Sequence, residues 1–270
     1  MKVQDWKYTV KNIASYPPGV KSIDESVMAN AVNAANYDLV KQLDPSDRVL
    51  EIGCGSASYL RDHIADDKNW DGIDVYEKDS RGRKCIATRL GSVHSIPFEN
   101  DAFDVVLSNQ SIEHWFEYGV KLEQGLSEIA RVLKVDGRAH LNFPFYLHGH
   151  PLFVTGDLDG VLSFIDKEIW KIEDVIAFED SDESDYIGWQ RCGFPDFYVQ
   201  RSRTVNTSYV VELILKKKSS KKDDVPEDPA SRKLNISSRL SGNRRALAHG
   251  FDVFLWKLLK KVTSGRTGNG

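Results

Sequence analysis

The stretch Val49-Leu50-Glu51-Ile52-Gly53-Cys54-Gly55-Ser56-Ala57 decides how this chain folds. An apolar run from Arg48 to Ile52 reads as a buried strand, two glycines one residue apart make a tight turn, and Ala57 to Ile64 reads as a helix. Glycines at such a turn let the backbone approach a ligand closely, at the carboxyl edge where open α/β sheets bind small molecules. A Gly-x-Gly pair alone is weak. It gains weight from Asp74, about 20 residues on at the end of a second strand, because a carboxylate there accepts hydrogen bonds from both hydroxyls of a ribose. A nucleoside-containing cofactor follows.

Outward from this turn, short apolar runs alternate with amphipathic ones as far as Leu215, the pattern of a parallel sheet with helices on both faces. Strands are expected at Trp70–Val75, Cys85–Arg89, Phe103–Ser108 and Arg138–Phe143, with Asp136-Gly137 turning into the last and Pro144 ending it. Leu122, Leu126, Ile129, Ala130 and Leu133 fall at spacings of three and four, which predicts a helix over Gly119–Leu133. Further on come a helix over Asp166–Ala177, a solvated acidic loop from Glu179 to Asp185, and strands at Phe197–Val199 and Tyr209–Leu215 that look like a hairpin. The N-terminal Trp6, Tyr8 and Tyr16-Pro17-Pro18-Gly19 serve equally well as a cap on the cofactor cleft or as core packing.

The charge is split. Of 36 Lys+Arg and 40 Asp+Glu, residues 216–270 hold 14 and 5, net +9, leaving 22 against 35, net −13, for residues 1–215. An acidic body is a poor match for a phosphate backbone, so no nucleic-acid partner is expected for that part. Residues 216–243 are rich in Lys, Ser, Asp and Pro and read as a basic flexible linker. Residues 244–263 place Leu247, Phe251, Phe254, Leu255, Leu258 and Leu259 on one helical face with Lys257, Lys260 and Lys261 elsewhere. Such a helix suits dimerisation, docking on its own domain, or peripheral contact with an anionic membrane. No apolar run approaches the ~18 residues of a membrane span. With no secretory h-region at Met1–Trp6 and no CxxC among Cys54, Cys85 and Cys192, a cytoplasmic location is expected.

Two cofactor classes share the glycine-turn geometry. A dinucleotide places pyrophosphate at the helix N-terminus, where the negative charge of Glu51, two residues before Gly53, opposes it. A cationic ligand meets no such repulsion, and S-adenosylmethionine carries an ammonium and a sulfonium.

These residues resemble the class I S-adenosylmethionine-dependent methyltransferases, over roughly residues 45–215. Glu51-Ile52-Gly53-Cys54-Gly55 is similar to that family's glycine loop, Gly72-Ile73-Asp74 to its ribose-binding strand end, and Gly91-Ser92-Val93-His94-Ser95-Ile96-Pro97-Phe98 to its adenine-side segment. Phe103-Asp104-Val105-Val106, Ile112-Glu113-His114, Glu128 to Lys134 and Asp136-Gly137-Arg138 continue the pattern in order. The resemblance implies a Rossmann-like seven-stranded sheet whose last strand runs antiparallel. It also implies cofactor contacts from Glu51, Gly53, Cys54, Gly55, Asp74, Val75, Ser92, Val93 and Asn109. Ala57 stands where the family's third glycine often is, and Ser92 replaces an acid, leaving a hydroxyl or backbone to hold the adenine amino group. Phe143-Pro144-Phe145 to His148-Gly149-His150-Pro151 is similar to a segment of methyltransferases found among surface-polysaccharide genes.

Methyl transfer to a hydroxyl needs the proton removed, and histidine titrates near the working pH. His114, His148 and His150 fall on loops at the carboxyl edge in this topology, whereas His63 and His249 do not; Glu113 is placed to orient His114 or the acceptor. His148 and His150 with Asp157 and Asp159 also offer metal ligands, but two imidazoles on one loop lack defined geometry and no metal is expected. The reaction so read is O-methylation of a sugar or small polar hydroxyl compound, including a lipid-linked glycan. Its rivals are methylation of a quinone, phenol or lipid precursor, and a non-catalytic S-adenosylmethionine-binding module.

Overall fold

The computed structural model describes residues 9–20, 27–79, 81–145, 149–154, 156–179, 189–191, 198–200 and 210–218. The basic linker and the amphipathic C-terminal helix read from the sequence lie outside these residues, as do Trp6, Tyr8, His148, the acidic run after Glu179 and Cys192.

In chain order the strands are β1 (Thr9–Asn12), β2 (Val49–Ile52), β3 (Trp70–Asp74), β4 (Arg89–Leu90), β5 (Phe103–Asn109), β6 (Leu133–Pro144), β7 (Trp170–Glu179), β8 (Trp189–Arg191), β9 (Tyr198–Gln200) and β10 (Val210–Lys217). The helices are α1 (Val27–Val40), α2 (Tyr59–His63), α3 (Leu122–Val132), α4 (Pro151–Val154) and α5 (Leu158–Leu162). One sheet takes the order β4-β3-β2-β5-β6-β10-β7-β1. Its pairs are parallel from β4 to β6, β10 runs antiparallel between β6 and β7, and β1 pairs parallel with β7. This is the expected Rossmann-like sheet with an antiparallel last strand, extended by an eighth strand, β1. No helix among the described residues is long and apolar enough to cross a membrane.

Apolar residues on both sides of the strands explain the burial of both sheet faces. On one face Leu50, Ile52, Ile73, Val106, Leu141, Phe143 and Leu213 meet Leu126, Ile129 and Val132 of α3, with Phe153 of α4 and Leu158 and Leu162 of α5. On the other, Val49, Val105 and Leu107 meet Leu39 of α1 and Leu60 of α2, while Ala31, Ala34 and Ala35 of α1 face Ile176, Phe178, Val210 and Ile214. Alanines there let α1 lie close on the sheet. Tyr16 also packs on this face, 6.5 Å from the Phe178 ring and 5.9 Å from that of Tyr37.

Four expectations are corrected. Asp166–Ala177 is not a helix: one turn at Asp166 leads into β7, because Val175 and Ala177 face one layer while Ile176 and Phe178 face the other, a two-sided burial that a helix cannot supply. The last two strands form no hairpin together, since β9 pairs with β8 and β10 inserts between β6 and β7. Of Cys85–Arg89 only Arg89 is in a strand, the two-residue β4 that it forms with Leu90. Instead of a crossover helix, the chain folds back on itself through Cys85 N–H to Glu77 O at 2.9 Å and Asp79 N–H to Arg83 O at 2.8 Å. The fifth strand begins at Leu133, with the Asp136-Gly137 turn forming an excursion inside it.

Candidate functional site

The glycine turn joins β2 to α2 at the carboxyl edge. Gly53 and Gly55 both take left-handed backbone, φ +72° and +59°, a region that side-chain-bearing residues enter only at a cost. Gly53 N–H donates to Ile73 O at 2.8 Å, and Gly55 N–H to Asp74 Oδ2 at 3.0 Å. Tyr76 N–H donates to Asp74 Oδ1 at 3.1 Å, and Gly91 N–H to the Asp74 carbonyl at 2.9 Å. Asp74 is thus held at the end of β3 by backbone on both sides. A Cβ on Gly53 would lie 2.9 Å from the Ser111 side chain, whereas one on Gly55 would meet nothing within 4 Å. The loop is closed below and open above. Beside it Val75 (39% exposed) and Leu90 (51% exposed) leave an apolar rim next to a carboxylate. That combination fits a nucleoside, with the base against the rim and the ribose hydroxyls on Asp74.

Other expected contacts lie deeper. Glu51 is 3% exposed, accepting at Oε2 from Ser58 Oγ (2.5 Å) and Trp70 Nε1 (3.1 Å) and at Oε1 from Asn109 Nδ2 (3.4 Å). Burial raises its pKa from 4.5 to about 7, against the pull of those three donors. It ties the loop from beneath instead of presenting a full charge to a ligand. The electrostatic case against a pyrophosphate is correspondingly weaker. Cys54 and Val93 are buried, their side chains in the core, and burial pushes the Cys54 thiol up. Both reach a ligand only through backbone. Ser92 caps a tight turn, its Oγ accepting from His94 N–H at 3.3 Å and its carbonyl from Ser95 N–H at 2.9 Å. Asn109, at the end of β5, bridges Glu51 and Asn36 of α1, donating to Asn36 Oδ1 at 3.3 Å.

Ser111 leads from β5 into the 3-10 helical segment Ile112–Tyr118, which holds Glu113 and His114. His114 Nδ1 lies 2.6 Å from Glu117 Oε1, and its Nε2 lies 3.9 Å from Glu113 Oε1. An ionised carboxylate only accepts, so His114 Nδ1 is the donor in this pair. Glu117 is thus the carboxylate nearer His114, with Glu113 beside the other ring nitrogen. Glu113 is fully buried, and its carbonyl accepts from His150 N–H at 2.9 Å. Gly149, φ +95°, permits this docking, since a Cβ there would lie 2.6 Å from the Glu113 oxygen. His150 Nδ1 accepts from Leu152 N–H at 3.3 Å at the start of α4, and its ring packs edge-on against Phe116 at 5.3 Å. His114 and His150 thus come from segments in direct contact. Asp157 is occupied as the N-cap of α5, accepting from Gly160 N–H at 2.8 Å.

Sequence reasoning missed Glu117, Ser58, Trp70, Asn36, Gln110 and Asn142. Glu117 stands three residues after His114, a spacing that a helical turn brings together, so its signal was present. Nothing local announces the others, because their contacts span strands and α1. His140 and Glu212 pair at 2.8 Å across β6 and β10, fully inside.

Residues 50–141 match the family model described as "Methyltransferase domain". YafE of Escherichia coli (strain K12) is 34% identical over 100 residues, 36% of this chain and 46% of that protein. The methyltransferase YcgJ of Bacillus subtilis (strain 168) is 26% identical over 124 residues, 43% of this chain and 47% of that protein. The chain spans about half the length of the curated relatives it matches. The crystal structure of YcgJ superposes with a TM-score of 0.44 at 13% identity, covering 69% of this chain and 99% of that one. The matched segment runs from β2 into β6 and includes the glycine turn, Asp74, Asn109 and His114, so the part of the chain that builds this site is similar to a methyltransferase domain, a kind of domain that takes S-adenosylmethionine.

Proposed function

We propose that the protein is an S-adenosylmethionine-dependent methyltransferase acting on a hydroxyl of a sugar or another small polar acceptor. The observation that carries the cofactor is the Gly55 N–H to Asp74 bond beneath an open loop, within the segment that matches methyltransferase domains. Asp74 receives the ribose hydroxyls, Val75 and Leu90 flank the base, and the Gly53–Gly55 backbone accommodates the amino-acid part. S-adenosylmethionine supplies an electrophilic methyl group on sulfur, so the chain's task is chiefly placement, an effect worth up to about 7–11 kcal/mol.

The acceptor reading rests on His114. Held by Glu117 at Nδ1, it is the base assigned here to the hydroxyl proton, which leaves as the new O–C bond forms and the S–C bond breaks. A phenol, already acidic, has less need of such a base. The net charge of −13 over residues 1–215 also favours a neutral acceptor over an anionic one. We assign the basic segment 216–243 and the amphipathic segment 244–263 to dimerisation or to an anionic membrane surface, the latter bringing the enzyme to a lipid-linked glycan.

Calorimetric titration with S-adenosylmethionine and, separately, with NAD tests the cofactor. Micromolar affinity for the former and none for the latter is expected, and tight NAD binding alone overturns the reading. Transfer of a labelled methyl group from S-adenosylmethionine to a panel of sugars, glycolipids and phenols then tests the acceptor.

A further inference from the structure

Where β5 ends, the amides of Gln110 and Asn142 face each other. Gln110 donates its backbone N–H to the Asn142 carbonyl at 2.8 Å and its side-chain Nε2 to Asn142 Oδ1 at 2.6 Å. To do so Gln110 adopts φ +49°, left-handed backbone that a residue with a Cβ keeps only where its surroundings enforce it. After this pairing two atoms remain. Gln110 Oε1 and Asn142 Nδ2 are sealed from solvent without a hydrogen-bond partner, and Asn142 is 0% exposed. Turning both amides over exchanges their roles and again leaves one acceptor and one donor. Such a pair of unmade bonds inside a fold is costly, and Gln110 stands directly between Asn109 and Ser111, which borders the glycine loop.

We propose that Gln110 and Asn142 form the hydroxyl-recognising, specificity-determining pair of the acceptor site. The proposal rests on the methyltransferase reading above, in which the base His114 follows β5 directly. A hydroxyl is the smallest organic group that satisfies both atoms, donating to the Gln110 carbonyl oxygen and accepting from the Asn142 N–H. A carboxylate cannot donate, an ammonium cannot accept, and an alkyl chain does neither. Both amides are neutral, so the pair selects an uncharged polyhydroxylated molecule such as a pyranose. Gln110 is only partly buried, so the pair is approached from its side and not through Asn142.

Saturation-transfer NMR on the full chain, with S-adenosylhomocysteine present, tests this. The probes are methyl α-D-glucopyranoside, methyl α-L-rhamnopyranoside and catechol. Wild-type protein should saturate the pyranose ring protons, and Gln110→Leu and Asn142→Leu should each weaken pyranose binding about 10- to 100-fold. Their affinity for S-adenosylhomocysteine by calorimetry should stay unchanged. Gln110→Ala, on a partly exposed side chain, serves if Asn142→Leu does not fold. Pyranose binding that survives the substitutions overturns the proposal, as does a wild type that binds catechol alone or no probe, which would leave a trapped water as the pair's partner. Pyranose binding that depends on the two amides in a protein that ignores S-adenosylhomocysteine keeps the pair and removes the cofactor reading.

Discussion

Gly55 donates its backbone N–H to one oxygen of the Asp74 carboxylate at 3.0 Å, and Tyr76 donates to the other at 3.1 Å. One side chain thereby fixes the glycine turn relative to β3 before any ligand arrives. Asp74→Ala removes both anchors and the ribose acceptor together. Affinity for S-adenosylmethionine should fall at least about 10- to 100-fold, because each charge-assisted hydrogen bond is worth about 1.5–3 kcal/mol. Calorimetry decides, and an affinity within twofold of wild type would remove Asp74 from the binding site.

Glu51 makes stability depend on pH in a definite direction. Its pKa is about 7 in the fold against 4.5 for a free side chain, so between these values the native state holds a proton that the unfolded chain has lost. Stability present below pH 4.5 is therefore lost as pH rises through 7. Glu51→Gln lacks that penalty. Its advantage in chemical denaturation should be small in acid and grow to roughly 3 kcal/mol above about pH 8. A difference that is flat with pH would mean that the carboxyl titrates normally.

Gly125 reverses a common rule. Inside a helix, replacing Gly with Ala ordinarily stabilises by about 1 kcal/mol. Here the new Cβ would lie 2.4 Å from the ring of Trp115, a buried side chain whose Nε1 donates to Ser111 Oγ at 3.1 Å. Gly125→Ala should instead destabilise by about 1–3 kcal/mol. Since Ser111 also lies against Gly53, cofactor affinity should drop with it; a rise in thermal stability would show that the indole yields freely.

His114→Ala should lower kcat by about 10²–10⁴-fold while leaving the dissociation constant for S-adenosylmethionine unchanged. Glu117→Gln should lower kcat less, because the amide oxygen still accepts from His114 Nδ1. A variant whose kcat is unaffected would leave His114 with only a structural bond.

The elements around the glycine turn were readable because their signals are local. Val49 to Gly55 and the α3 stripe depend on spacings within a few residues and Asp74 on one of about 20, and β2, β3, β5 and α3 stand where they were expected. The sequence misled at β7, where Ile172, Val175 and Ile176 fit a helical stripe as well as a two-sided strand, and only the neighbouring β10 decides between them. The site divides the same way. Asp74 and His114 announce themselves by motif, while the buried bonds of Glu51 and the Gln110–Asn142 pair arise from residues 7 to 58 positions apart that no window captures.

The place of β10 carries a consequence for biogenesis. A ribosome delivers β6 and β7 long before the strand that belongs between them, so the growing chain holds two open strand edges until residue 217 has emerged. Unpaired apolar edges recruit partners of their own kind. The last insertion closes a gap in the middle of the sheet, and the acquisition of β10 thus leaves only β1 and the two-residue β4 as strand edges of that sheet.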